Sequence, residues 1–187
     1  ASLRNFLRTP RSRPLFLFIH LNMASGPAAQ SEVVECLDVL DRADLCERSV
    51  FVLCSDHGFP VPRGEISTWK AEMEQEGHDL DLSEANIRVP LLIRVPHSAP
   101  IEVLSAVSTL DLATTVVELA GHTNDRLRAQ SCGTSLASVV SGASPESVLG
   151  NRCLRVDNRY YLQPRRKTAL VRLPWLYVRD HDTASDE

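Results

Sequence analysis

The stretch that decides the fold is Val50-Phe-Val-Leu-Cys-Ser-Asp-His-Gly58. An apolar run rich in β-branched and aromatic residues is typical of a buried strand in a parallel sheet. Because α/β folds bind their ligands at the carboxyl ends of such strands, we expect Asp56 and His57 to project into a crevice there. Gly58 would let the backbone turn sharply. The local sequence also allows a simpler interpretation, in which a strand is followed by a polar turn.

Outward from this stretch, strands and helices alternate along the chain. Ser31 to Leu45 has apolar residues at helical spacing, which predicts an amphipathic helix. The apolar runs predict a first buried strand over Leu15 to Leu21, a second over Ser49 to Cys54 and a third over Pro90 to Val95. A strand, a helix and a strand in succession favour a right-handed crossover between parallel strands.

The second half of the chain begins with helices and ends with short strands. Ser108-Thr-Leu-Asp111 is a capping box, and the helix behind it should end at Gly121. The remaining predictions are a short helix over Lys70 to Gly77, another over Ser135 to Val140, and antiparallel strands at Tyr160 to Leu162, Ala169 to Val171 and Trp175 to Val178, with a hairpin turn at Leu173-Pro174.

The predicted fold class is therefore α/β, a mostly parallel sheet flanked by helices, with a small antiparallel region at the C-terminal end. We expect residues 1–150 to form part of an α/β domain and residues 151–187 to form the small antiparallel region and a polar tail. The long segment between Gly58 and Asn86 follows the carboxyl end of a predicted strand, where loops usually carry binding residues.

Composition narrows the classes of partner. The chain has 187 residues and a net charge of −4, which gives no reason to expect nucleic acid. No stretch approaches the roughly 20 apolar residues that span a bilayer. The five cysteines show no zinc-type spacing, and their odd number favours free thiols.

Several segments, taken in order, resemble the sulfatase family of the alkaline-phosphatase superfamily. Ser55-Asp56-His57-Gly58 resembles the family's S-D-H-G or S-D-N-G motif. The other similar segments are Ile87 to Pro96 (the R-V-P strand), Leu110 to Gly121 (the D-L-x-P-T helix, with Thr114 in place of proline), Gly133 to Leu136 (G-x-S-L) and Ala169 to Tyr177 (the terminal strand pair, with Leu176 in place of lysine). The match covers only the C-terminal half of such an enzyme.

The resemblance implies a metal-dependent hydrolase of sulfate esters with an alkaline-phosphatase-like fold. Asp56 and His57 would be two ligands of a divalent cation, with Ca²⁺ favoured and Mn²⁺, Mg²⁺ or Zn²⁺ as alternatives. The substrate would be a small or carbohydrate sulfate ester. The resemblance also favours an extracytoplasmic or lysosomal location.

Parts of the family's site have no counterpart in this sequence. The formylglycine motif C/S-x-P-S-R is absent, as is the strand with the paired aspartates that complete the metal shell. The family's sulfate-facing lysine falls near His78, so His78 and Lys70 are weak catalytic candidates, and a plain surface role for His78 stays open. We expect the chain to be a piece of a longer protein and to be inactive alone. Two alternatives are a phosphodiesterase or phosphotransferase of the same superfamily, and a non-catalytic relative.

Overall fold

The computed structural model describes residues 3–7, 9, 12–21, 27–58, 82–122, 125–159 and 166–181. In chain order the elements are α1 (Leu3–Leu7), α2 (Pro27–Asp41), β1 (Phe51–Cys54), α3 (Glu84–Ile87), β2 (Leu91–Arg94), α4 (Asp111–Leu119), α5 (Asp125–Gln130), α6 (Ala137–Val140), α7 (Pro145–Leu149), β3 (Leu154–Arg159), β4 (Arg166–Arg172) and β5 (Trp175–His181). They belong to two compact units, one formed by Ala1–Phe51 with Arg94–His97 and the other by Val52–Ile93 with Ser98–Glu187.

In the first unit, α2 confirms the predicted amphipathic helix. Pro27 stands at its first position, where a missing N–H costs nothing. Leu40 is buried and Leu37 half-buried, whereas Val34 on the other face is exposed. The helix ends at Asp41, earlier than the predicted Leu45, and the chain continues in hydrogen-bonded turns.

The predicted strand at Leu15 to Leu21 is wrong. The segment is not assigned to a strand, and Phe16 and Phe18 are each 78% exposed. An apolar run becomes a buried strand only when neighbouring strands supply hydrogen bonds and cover its faces. No strand among the described residues pairs with this segment, so hydrophobic content alone did not produce the element.

The second and third predicted strands are present but shorter than expected. β1 and β2 are hydrogen-bonded neighbours in a two-stranded sheet. The larger, mostly parallel sheet expected around them stays a prediction, as does the domain division at residue 150. No helix among the described residues is long and apolar enough to cross a bilayer.

The C-terminal sheet is antiparallel, as predicted, with the strand order β3-β4-β5. The hairpin between β4 and β5 turns at Leu173-Pro174. β3 was missed because its alternating pattern, Leu154-Arg-Val-Asp-Asn-Arg159, contains only two strongly apolar residues. The strand predicted at Tyr160 to Leu162 and the helix predicted at Lys70 to Gly77 lie outside the described residues.

A buried carboxylate organises the region around α4. Asp111 is 1% exposed and forms an ion pair with Arg152, which also donates to the carbonyl of Ala106. The carboxylate accepts the backbone N–H of Ser108 at 2.7 Å and that of Thr134 at 2.8 Å. The first bond is the reciprocal half of the predicted capping box. The second joins the helix to the Gly133-Thr-Ser-Leu136 segment, a role that the sequence did not reveal.

Helix α4 also ends where the sequence predicted, at Gly121. It ends just before Gly121, which adopts a positive φ of 76°, a conformation that favours glycine. The hydroxyl of Ser108 accepts the N–H of Leu110 at 3.2 Å, so the predicted cap lies one turn before the regular helix. The short helix predicted from Ser135 is present as α6.

Candidate metal site

The candidate site lies where β1 ends. The strand stops at Cys54, and Ser55, Asp56, His57 and Gly58 follow in an irregular turn. Its side chains are open to solvent, since the Asp56 side chain is 70% exposed and that of His57 is 42% exposed. The strand-end position therefore leaves both groups accessible to a ligand.

Short hydrogen bonds fix the turn. The Ser55 hydroxyl donates to the carbonyl of His57 at 2.6 Å, and the His57 backbone N–H donates to Oδ1 of Asp56 at 3.0 Å. These are the side chain-to-backbone bonds by which serine and aspartate stabilise turns. Part of the simpler interpretation is thus correct, because both residues support the bend as well as presenting polar atoms.

A hydrogen bond to the backbone of Gly58 orients the imidazole of His57. Nδ1 lies 2.7 Å from the carbonyl oxygen of Gly58, and a carbonyl can only accept, so Nδ1 carries the proton. In the neutral ring Nε2 then has the lone pair. A histidine that binds a metal through one nitrogen commonly donates the other N–H to a carbonyl in this way.

The two candidate ligand atoms are close enough to share a cation. Nε2 of His57 lies 3.8 Å from Oδ1 of Asp56. Calcium binds its ligands at about 2.3–2.6 Å, so two ligands of one ion can be separated by up to about 5 Å. The pair therefore fits two positions of a coordination shell. No group of three or more histidine, cysteine, aspartate or glutamate side chains that could hold a metal occurs within the described ranges.

Gly58 anchors the turn to the segment before β2. Its N–H donates to the carbonyl of Asn86 at 2.6 Å. A Cβ at position 58 would lie 2.0 Å from the carbonyl oxygen of Ala85 and 2.9 Å from that of Asn86. Its φ is outside the left-handed region, so glycine is required here by the close approach of two backbones. This reason differs from the sharp turn that the sequence suggested.

The structure adds one segment to the site that sequence analysis missed. Helix α3 precedes β2, and the carbonyl of Asn86 in this helix accepts the N–H of Gly58. The signal was weak, since Ser83-Glu-Ala-Asn86 shows only a serine at the N-cap position. His78 and Lys70, the weak catalytic candidates, lie outside the described residues, so their roles stay predictions.

Comparison with known proteins supports the motif resemblance. A family model described as Sulfatase matches residues 31–122, which include β1, the Asp56-His57 turn and β2. A choline-sulfatase from Rhizobium meliloti (strain 1021) is 32% identical to this chain over 111 residues, or 59% of the chain and 20% of that protein. The chain thus aligns with about a fifth of the length of this curated relative.

A sulfatase domain implies an α/β architecture of the alkaline-phosphatase type. The observed elements agree with it to the extent that α2, β1 and β2 follow one another in the matched range. The comparisons therefore support placing residues 31–122, which are part of the chain, in the sulfatase family.

Proposed function

We propose that this chain is part of a sulfatase-like, metal-dependent hydrolase of sulfate esters. In this proposal Asp56 and His57 are two ligands of a divalent cation. The main observation in support of this proposal is the position of Asp56 and His57. The pair follows β1 inside the segment that matches the family model, and its ligand atoms are 3.8 Å apart.

The chemistry of the pair suits a hard cation and an anionic substrate. Asp56 supplies an anionic oxygen, the type of ligand that Ca²⁺, Mn²⁺ and Mg²⁺ prefer, and His57 supplies a nitrogen. A bound divalent cation offsets the negative charge of a sulfate ester and orients groups around it. The residues of this chain would position that cation through the hydrogen-bonded turn. The preference for Ca²⁺ among these cations rests on the family resemblance.

The described part of the chain offers an incomplete site. Catalytic cations usually have three or four protein ligands, and the described residues offer two. The family's nucleophile motif is also absent from the sequence. We therefore propose that the 187-residue chain alone binds the cation weakly and does not hydrolyse sulfate esters. Hydrolysis would require the remaining ligands and the nucleophile from outside this sequence.

The substrate class rests on the comparisons. The relative that matches this chain is named a choline-sulfatase, which supports a sulfate ester over a phosphate ester. We infer a small or carbohydrate sulfate ester for this chain, without transferring the choline group. An extracytoplasmic or lysosomal location is part of the same proposal and rests on family resemblance alone.

Calorimetric titration of the full chain with Ca²⁺ and with Mn²⁺ tests the metal site. We expect binding weaker than micromolar in the wild-type chain and no measurable binding in Asp56→Ala or His57→Ala. Matched controls are Asp38→Ala and His122→Ala, which remove an exposed aspartate and an exposed histidine elsewhere. Wild-type binding in Asp56→Ala and His57→Ala, or submicromolar affinity in the wild-type chain, would contradict the proposal.

Measurements of hydrolytic activity distinguish a sulfate ester substrate from a phosphate ester substrate. In a longer protein that contains this chain, we expect hydrolysis of an aryl sulfate that disappears with Asp56→Ala. Hydrolysis of a phosphate diester in preference to the sulfate would instead support the phosphodiesterase alternative. Absence of both activities, with cation binding retained, would support the non-catalytic relative.

A further inference from the structure

The side chains of the three-stranded C-terminal sheet are divided between two faces. Successive residues of a strand point to opposite faces, and residues opposite each other on neighbouring strands share a face. Ala169, which is fully buried, lies opposite Val156 and Val178. The opposite face is here called the outer face. Along β5 and the neighbouring part of β4 it is formed by Trp175, Tyr177, Arg179, Arg172, Leu170 and Thr168.

The outer face exposes two aromatic rings beside each other. Trp175 is 77% exposed and Tyr177 is 60% exposed, and both lie on the edge strand β5. Leu170, opposite Tyr177, is also exposed. Large aromatic side chains that remain open to solvent in adjacent positions of one face are a common feature of binding surfaces.

The same face carries uncompensated positive charge. Arg172 and Arg179 are exposed, and neither forms an ion pair with any described carboxylate. Nε of Arg172 donates to the amide oxygen of Asn151 at 3.5 Å. Arg172 lies opposite Trp175, and Arg179 follows Tyr177 two residues later. The arginines therefore flank the aromatic pair at both ends.

The one described acidic residue on this face does not offset those charges. Asp157 accepts hydrogen bonds from Arg155 at 3.0 Å and from the Thr168 hydroxyl at 2.8 Å. These hydrogen bonds, the one from Arg155 more than the one from Thr168, hold the pKa of the Asp157 carboxyl below its usual value. Because Asp157 is paired with Arg155, the two charges cancel. Arg172 and Arg179 thus remain without an ion pair among the described residues of the outer face, in a chain whose net charge is −4.

This arrangement fits a ligand that is both anionic and ring-containing. A planar guanidinium binds a sulfate or carboxylate through two parallel hydrogen bonds. The faces of tryptophan and tyrosine rings pack against the apolar C–H face of a sugar ring. At roughly 3.3 Å per residue, the row from Trp175 to Arg179 extends over about 13 Å, which exceeds one sugar ring. A simple anion would not use the aromatic rings, and a neutral sugar would not use the arginines.

We propose that the outer face of the C-terminal sheet binds a sulfated polysaccharide. Trp175 and Tyr177 stack against sugar rings, and Arg172 and Arg179 bind sulfate groups. The choice of sulfate over other anions rests on the proposed function, whereas the surface itself is argued from the sheet. Single-stranded nucleic acid also combines rings with negative charge, and binding of it is one outcome of the test below.

Tryptophan fluorescence tests the proposal. The chain contains two tryptophans, Trp69 and Trp175, so the full-length Trp69→Phe variant reports on Trp175 alone. Titration with dextran sulfate should give a saturable change in its emission, and unsulfated dextran, which has the same backbone, should give none. Arg172→Gln combined with Arg179→Gln should weaken binding by about tenfold or more, because charge-assisted hydrogen bonds are lost.

Matched variants separate a specific surface from general charge attraction. Arg42→Gln combined with Arg48→Gln removes two exposed arginines of the first unit and should leave binding unchanged. By calorimetry, Trp175→Ala should weaken binding, while Phe16→Ala, an equally exposed aromatic, should not. Equal losses in the two arginine pairs would overturn the proposal, as would no loss in Trp175→Ala.

Binding of other ligands, and the effect of a variant at the metal site, complete the test. Tighter binding of an oligothymidylate, or binding only to vesicles of anionic phospholipid, would overturn the polysaccharide proposal in favour of nucleic acid or membrane. Asp56→Ala should abolish cation binding and leave dextran sulfate binding intact. A wild-type chain that binds the cation but not dextran sulfate would refute this surface, whereas a wild-type chain that binds dextran sulfate but no cation would refute the metal site.

Discussion

Gly58 illustrates how one missing side chain shapes the candidate site. It brings the Asp56-His57 turn into contact with the backbone of Ala85 and Asn86. The hydrogen bond from Gly58 to Asn86 then holds the turn at a fixed distance from the segment leading into β2. Any side chain at position 58 would occupy the place of a backbone oxygen, which cannot move away as a flexible side chain could.

We predict that Gly58→Ala separates these two segments. Its free energy of unfolding should fall by about 1–3 kcal/mol, the usual range for an overpacked site, and its Ca²⁺ binding should disappear. Urea denaturation and calorimetry measure the two effects. Gly121→Ala is the control. It should cost about 1 kcal/mol through its positive φ and leave cation affinity unchanged, since no atom lies within 4 Å of the added Cβ. Wild-type stability and affinity in Gly58→Ala would refute the explanation.

Asp111 is the second residue on which a local region depends. Its carboxylate neutralises Arg152 and accepts the N–H groups of Ser108 and Thr134. We predict that Asp111→Ala lowers the free energy of unfolding by about 3 kcal/mol or more, because a nearly buried guanidinium loses its partner. Asp38→Ala removes an exposed ion pair with Arg42 and should cost about 0.5 kcal/mol. Urea denaturation compares them, and equal costs would be inconsistent with this role.

At the scale of elements, the pairing of β3 with β4 has a pH-dependent component. Asp157 on β3 is bonded to Arg155 and to Thr168 of the neighbouring strand, which lowers the pKa of its carboxyl from 3.8. Because the folded-state pKa is the lower one, the charged carboxylate stabilises the folded chain above pH 3.8. That contribution is lost as the pH falls through the folded-state pKa.

We therefore predict a pH-dependent effect of Asp157→Asn. At pH 7 the variant should be less stable than the wild type by about 0.5 kcal/mol, a typical value for an exposed pair. The difference should decrease below pH 3.8. Urea denaturation at several pH values measures this difference. Asp180→Asn is the control, because Asp180 lies on β5 on the opposite face of the same sheet. A difference that is constant with pH would show that the Asp157 charge does not contribute.

For the whole molecule, the exposed segment Leu15 to Leu21 is the feature most relevant to association. It is rich in β-forming residues, is not paired with any described strand, and exposes Phe16 and Phe18. Unpaired segments of this kind can hydrogen-bond to another chain. The segment is therefore the first place to look for contacts between molecules.

We predict concentration-dependent association of the isolated chain, measured by light scattering, that Phe16→Lys suppresses. A lysine at this position adds charge to the exposed edge and disfavours pairing. Val34→Lys, on the exposed side of α2, makes a comparable change outside the segment and should not alter association. A wild-type chain that remains monomeric at all concentrations would contradict this prediction.

The sequence by itself determined most of the local elements and the resemblance to the sulfatase family. Helical periodicity predicted α2 and α4, and apolar runs with turn residues predicted β1, β2 and the β4–β5 hairpin, because these patterns reflect interactions between near neighbours. The motif Ser55-Asp56-His57-Gly58 predicted the candidate site for the same reason, since a strand end and its turn are local features.

Only the tertiary structure decided which distant residues meet. The contact of Gly58 with Ala85 and the burial of Asp111 against Arg152 both depend on how separate segments pack. The same dependence explains the failure at Leu15 to Leu21. An apolar run has the composition of a strand in any context, but it becomes one only when another strand supplies its hydrogen bonds.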